Sequence, residues 1–184
     1  MAFYAHDFGA GVLALLLLVA WWRARSSSQP ARNVALVLWA AGGTFIAWVI
    51  AHYGLKPLIA ERRPYIALHH VEVLLPRTTG YSFPSGHATF AGGVIVGLWL
   101  VKDKLLAWAA TILGLLLAFG RVYVGMHYPG DVLGGLAFGG LLVLILMPPA
   151  VAVLTRFDTA LLKSKLFAPL VAARGKPGRV ASIV

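Results

Sequence analysis

Three short segments hold most of the residues that could do chemistry in this chain: "KPLIAERRP" at 56–64, "PSGH" at 84–87 and "GRVYVGMHYPGD" at 120–131. They supply three cations (Lys56, Arg63, Arg121), two imidazoles (His87, His127) and a carboxylate, Asp131, four residues after His127. Each has a plain reading on its own. A Lys or Arg beside an apolar run anchors it at the water boundary, Ser85 starts a helix, and Asp131 caps the next one after the Pro129-Gly130 turn. Together they describe an anion site, because free N–H groups in the first turn after Ser85 and Gly86 attract phosphate, and guanidinium forks neutralise it.

What must position these residues is a set of membrane helices. With 60% hydrophobic residues, 12% charged residues and a mean hydropathy of +0.82, the chain falls outside the range of soluble domains. It has no cysteine, so disulfide and thiolate chemistry are absent. Measured against the ~20 residues that cross a bilayer, the uncharged runs give five candidate spans at 3–22, 34–55, 85–101, 105–120 and 131–147. The predicted fold class is all-α, an integral membrane bundle of about five to six transmembrane helices. The chain reads as a single domain over 1–184 without repeats. The first span lacks a small-residue cleavage pattern and reads as a retained helix. Small-residue runs at 40–45, 91–97 and 134–140 fit either close helix packing or the ordinary abundance of glycine in membrane helices.

The sixteen Lys and Arg then set the orientation. Counting crossings puts eleven on one side, among them Arg23, Lys102 and the tail cations from Arg156 onward, and five on the other: Lys56, Arg62, Arg63, Arg77 and Arg121. The positive-inside rule makes the larger group cytoplasmic, with the N-terminus outside and the basic tail, about 156–184, inside. Cations distributed as short flanks between apolar runs also argue against a nucleic-acid partner. All three chemical segments fall on the outer face, so their residues converge there.

A pocket of three cations, a backbone anion nest at Ser85 to His87 and two imidazoles suits a phosphoryl group, whose transfer is mainly positioning and charge stabilisation. Lys56 and Arg63 are seven residues apart and would share a face if the segment is helical, with Pro57 in its first turn and Pro64 ending it. His127, oriented by Asp131, can attack phosphorus to give a phosphohistidine. His87 can protonate the leaving oxygen and later deprotonate the attacking water. No metal or other cofactor is required by this scheme.

On these residues the chain resembles the type 2 phosphatidic acid phosphatase superfamily of membrane lipid phosphatases. That family's signature is Lys-x6-Arg-Pro, then Pro-Ser-Gly-His, then Ser-Arg-x5-His-x3-Asp. Here Lys56 with Arg63-Pro64, Pro84-Ser85-Gly86-His87, and Arg121 with His127 and Asp131 match in order and spacing, and the resemblance covers roughly residues 34–147. It implies the vanadium-chloroperoxidase-like helical core. It also implies that Lys56, Arg63, Ser85, Gly86 and Arg121 bind phosphate while His127, His87 and Asp131 are catalytic. Gly120 departs from the pattern, standing where the family usually has serine. The phrases at 74–89 and 120–134 are most similar to bacterial undecaprenyl pyrophosphate phosphatases. That similarity implies a lipid pyrophosphate as substrate, membrane lipids as surroundings and the bacterial cytoplasmic membrane as location. Phosphatidylglycerophosphate, phosphatidic acid and lipid A phosphate are the alternatives.

The segment 65–83 is long for a connection and reads as a lid or rim. Its His69, His70 and Glu72 read better as solvated than as a metal cluster. A lipid transporter, the rival of another class, would place polar groups mid-membrane, whereas here they sit at span ends.

Overall fold

In a chain surrounded by lipid, small residues decide where helices touch, because leucine gains nothing by leaving one apolar medium for another. The computed structural model describes residues 4–68, 70–164 and 166–173. Its long helices are α1 (Gly9–Ala24), α2 (Pro30–Val49), α5 (Gly86–Val101), α6 (Lys104–Tyr123), α7 (Pro129–Ile145) and α8 (Met147–Leu161), and its short ones are α3 (Lys56–Ile59), α4 (Pro64–Ala67) and α9 (Ala168–Val171). π-helical turns precede α1 (Tyr4–Phe8) and join α2 to α3 (Ile50–Leu55). No strand occurs among the described residues.

Helix α5 is the hub, packed on α1, α2, α6 and α7. Its "AGGVIVG" run explains why. A Cβ on Gly92 would collide with the carbonyl of Leu136 on α7, and one on Gly97 would collide with Ala40 on α2. Gly139 on α7 lies equally hard against the carbonyl of Thr89. Most glycines of the small-residue runs therefore serve packing. Gly42, with nothing near it, does not.

Large apolar side chains face outward instead: Leu18, Phe45, Ile112, Phe119 and Leu133 are all more than half exposed, while Thr44, Arg121, His127 and Asp131 are buried. That inversion suits a membrane protein. Two helical stretches, Pro30–Ala67 and Lys104–Tyr123, are long and apolar enough to cross a membrane. The pair α7 and α8, bent by 54°, passes the same test together, and α1 and α5 are shorter apolar helices. Helices α1, α2, α5, α6 and α7 coincide with the five runs picked from hydropathy to within a few residues, except that α1 starts at Gly9, the span at 34–55 includes the π-helical turn, and α6 extends to Tyr123.

The described residues of the basic tail pack back on the α1–α2 end of the bundle. Arg25 Nη1 donates to the Pro169 carbonyl at 2.9 Å, and the Ala173 N–H to the Arg25 carbonyl at 3.0 Å. Arg23 and Asp103 pair at 2.8 Å at the same end. This end of the bundle is opposite the one that gathers the three chemical segments. The remainder of the predicted tail, 174–184, lies outside the described residues.

Gly139→Ala is expected to lower the unfolding temperature of the detergent-solubilised protein, at a cost of about 1–3 kcal/mol from overpacking. Gly42→Ala, made into open space, is expected to leave it unchanged or slightly raised.

Candidate active site

Lys56 and Arg63 meet, but not by helical spacing. Ala60 takes a left-handed conformation (φ 53°) that stops α3, the chain reverses, and Arg63 becomes the extended N-cap of α4 with Pro64 in that helix's first turn. The expectation of one shared helical face, ended by Pro64, is thus corrected: proline opens the next helix. Both cations then clamp the loop before α5. Lys56 Nζ donates to the carbonyls of Tyr81 (2.7 Å) and Ser82 (3.1 Å). Arg63 Nε donates to Gly80 at 2.7 Å, and its Nη1 to Met126 at 3.1 Å. Carbonyl dipoles offset the cost of burying these charges without cancelling them.

Ser85 occupies the N-cap position of α5, as its sequence context predicts, yet its hydroxyl does not cap. Its own N–H donates to the Asp131 carbonyl at 3.0 Å, its carbonyl receives the Thr89 N–H at 2.9 Å, and its buried Oγ has no hydrogen-bond partner among the described residues. A buried hydroxyl in that condition suits an incoming anion. Arg121, at the end of α6, is buried and anchored by Nη1 to the carbonyl of Ala5 in the N-terminal π-helical turn. The same Ala5 accounts for Gly120, since a Cβ on Gly120 would lie 3.0 Å from the Ala5 Cβ.

His127 and Asp131 face each other across the start of α7. Asp131 Oδ2 accepts from the Tyr128 N–H at 2.8 Å, closing the helix's first turn. It also receives the Ser82 hydroxyl and lies 3.2 Å from His127 Nδ1. A carboxylate there assigns the proton to Nδ1, which leaves the lone pair of Nε2, 3.4 Å from Arg63 Nη1, on the cavity side. Burial, reinforced by the charges of Arg63, Lys56 and Arg121 and opposed by the bond to Asp131, pulls the His127 pKa down to about 4. The imidazole is therefore neutral at pH 7.

One cavity of about 390 Å³ is bounded by Lys56, Arg63, Arg121, Gly86 and both His87 and His127. Every sequence-predicted site residue lies on this cavity except Ser85, which immediately precedes the lining Gly86, and Asp131, which is hydrogen-bonded to the lining His127. Such an arrangement can hold a phosphoryl group among three cations, with a neutral nucleophile and a second imidazole at hand. Thr78, Thr79 and Gly80 add a rim, so the long 65–83 connection does border the site, pinned by Tyr65 Oη donating to the Thr78 carbonyl at 2.8 Å. His69 lies outside the described residues. Among those described, no group of three His, Cys, Asp or Glu is arranged to hold a metal.

Ser82 is the residue that sequence reasoning missed. Fully buried, it touches both Asp131 and, at 3.4 Å, His127 Nδ1. Its only sequence signal is a serine three residues before Ser85, in a loop where serine is commonplace.

The family model of the PAP2 superfamily matches residues 37–152. The undecaprenyl-diphosphatase BcrC of Bacillus subtilis is 35% identical over 133 residues, 72% of this chain and 65% of that one. An undecaprenyl-diphosphatase of Sulfolobus acidocaldarius is 33% identical over 96 residues, 52% and 47% of the two chains. A phosphatidylglycerophosphatase B of Haemophilus influenzae is 40% identical over 79 residues, 38% and 31%. The chain thus spans less than two thirds of the length of each of these relatives.

Asp131→Ala, which removes the acceptor that fixes the imidazole tautomer, is expected to cut phosphate release from a lipid phosphate by on the order of 10³–10⁴. Ser82→Ala, which removes one donor to that carboxylate, is expected to lower kcat by about 10-fold with little change in KM.

Proposed function

The chain belongs to the PAP2 superfamily, and from that premise we propose that it is a single-domain membrane lipid phosphatase whose substrate is a lipid diphosphate, undecaprenyl diphosphate first among them. The products are the lipid monophosphate and orthophosphate. What carries the reading is one observation: His127, neutral and with its unprotonated nitrogen beside the buried Arg63, lines the same cavity as His87.

In the first step the His127 Nε2 lone pair attacks the terminal phosphorus while the bridging P–O bond breaks. His87 gives its proton to the departing oxygen, which leaves with the lipid. In the second step a water loses its proton to His87 and attacks the phosphohistidine, which frees orthophosphate and restores both imidazoles. Lys56, Arg63, Arg121, Ser85 Oγ and the first-turn N–H groups of α5 hold the phosphoryl oxygens throughout.

A lipid is favoured because the cavity continues into an apolar groove of about 340 Å³ between α1, α2 and α5. Ala10, Phe45 and Phe90 line the groove, and it shares Trp48, Gly86 and His87 with the cavity. The acid of the mechanism stands on the shared wall, so the lipid leaves toward the groove. The charge asymmetry of the sequence supports an extracytoplasmic site with the tail in the cytoplasm. The relatives named undecaprenyl-diphosphatase support the substrate. The match to a phosphatidylglycerophosphatase favours phosphatidylglycerophosphate as the second choice.

Phosphate release by the purified protein, measured with and without EDTA on undecaprenyl diphosphate, phosphatidylglycerophosphate and phosphatidic acid, tests this directly. The expected result is metal-independent turnover, fastest on the diphosphate; no release from any of the three contradicts the reading. In the free enzyme the acid limb of kcat/KM belongs to His127. Because its pKa is lowered, the nucleophile stays neutral below the ordinary imidazole value of about 6.5 and is lost only as the pH falls through about 4. A rate that already collapses near pH 6.5, with that limb unmoved by substitutions at His87, contradicts the assignment.

A further inference from the structure

Two aromatic side chains of the cavity wall, one of them shared with the groove, have no part in the mechanism above. Trp48, His52 and Lys56 recur every four residues, and across the π-helical turn Ile50–Leu55 all three line the cavity. The rings of Phe45, Trp48 and His52 form one continuous stack. Phe45 lies 6.1 Å from Trp48 at 24°, and His52 lies 5.2 Å from Trp48 at 20°. The stack runs from the groove, which Phe45 lines, to the cavity, which His52 lines. Trp48 presents its Nε1 edge to the first turn of α5, 3.3 Å from where a Cβ on Gly86 would be.

We propose that Trp48 and His52 form a subsite for the second phosphoryl group of a diphosphate, the one that stays with the lipid. Such a subsite presupposes the diphosphate reading above and follows from where charge must go. The attacked phosphorus sits against His127, and the bond that breaks points toward His87 and the groove. In a monophosphate ester the next atom along that line is carbon, which the groove accommodates. In a diphosphate it is a second phosphorus bearing anionic oxygens, and these would lie against apolar surface unless donors meet them. Lys56 and Arg63 are held deeper, tied to the carbonyls of Tyr81, Ser82, Gly80 and Met126. On the cavity wall beside the groove, the donors that the mechanism leaves unused include the exposed His52 imidazole and the Trp48 indole N–H, while Thr78 and Thr79 stand on the 78–80 rim. Stacking on Trp48 holds the imidazole plane without using its nitrogens.

A matched pair of substrates, farnesyl diphosphate and farnesyl monophosphate, isolates the second phosphoryl group while keeping the lipid constant. For His52→Ala, kcat/KM on the diphosphate is expected to fall about 10-fold or more, the size of a lost charge-assisted hydrogen bond, while the monophosphate rate stays near wild type. Trp48→Phe, which keeps the stack and removes the N–H, is expected to move the same ratio in the same direction, and His52→Lys to restore it in part. A parallel fall on both substrates, or no fall on either, overturns the subsite and leaves the phosphatase reading intact. Wild-type protein that hydrolyses only the monophosphate contradicts the diphosphate reading itself, and the subsite falls with it.

Discussion

The Asp131 carboxylate is the constraint on which the site depends. It is buried within reach of the Lys56 and Arg63 charges and bonded at once to the Tyr128 N–H, the Ser82 hydroxyl and the His127 ring. Each bond joins a different part of the chain: the first turn of α7, the loop entering α5, and the turn leaving α6. A buried charge held this way fixes geometry more than it adds stability, since its attraction to the cations is largely offset by desolvation. Its backbone carbonyl extends the arrangement by receiving the Ser85 N–H. One residue thereby sets both the His127 tautomer and the position of the Ser85–Gly86 turn.

The cations face the opposite problem, since three buried positive charges repel. Lys56 and Arg63 are stabilised by backbone carbonyls from the 80–82 loop and Met126, and Arg121 by the carbonyl of Ala5. Dipoles lower the cost of burial while leaving the net charge in place, so the pocket remains attractive to a dianion. The glycine contacts of α5 with α2 and α7 matter here. They bring the helix ends that carry these groups within bonding distance.

The helices were legible in the sequence because apolar runs of nearly span length have few alternatives, and counting crossings was enough to put Lys56, His87, Arg121, His127 and Asp131 at one end. Motif spacing named the same residues. What could not be read was local and conformational. Nothing in "KPLIAERRP" announces that Ala60 turns left-handed. Nothing in "PSGH" tells that Ser85 leaves its hydroxyl unused for capping. Ser82 was missed because its role depends on a contact with Asp131, far along the chain. Gly120 looked like a defect and became explicable only once Ala5 was seen beside it.

The chemistry requires that His127 rest neutral, protonated on Nδ1, with Nε2 on the cavity side. Nitrogen NMR of protein labelled with ¹⁵N-histidine in detergent micelles, titrated from pH 8 to pH 5 with His127→Gln used to assign the signals, reads that state directly. The account predicts one histidine that stays in the Nδ1–H tautomer throughout that range. An imidazolium at position 127 at pH 7, or a proton on Nε2, would contradict it.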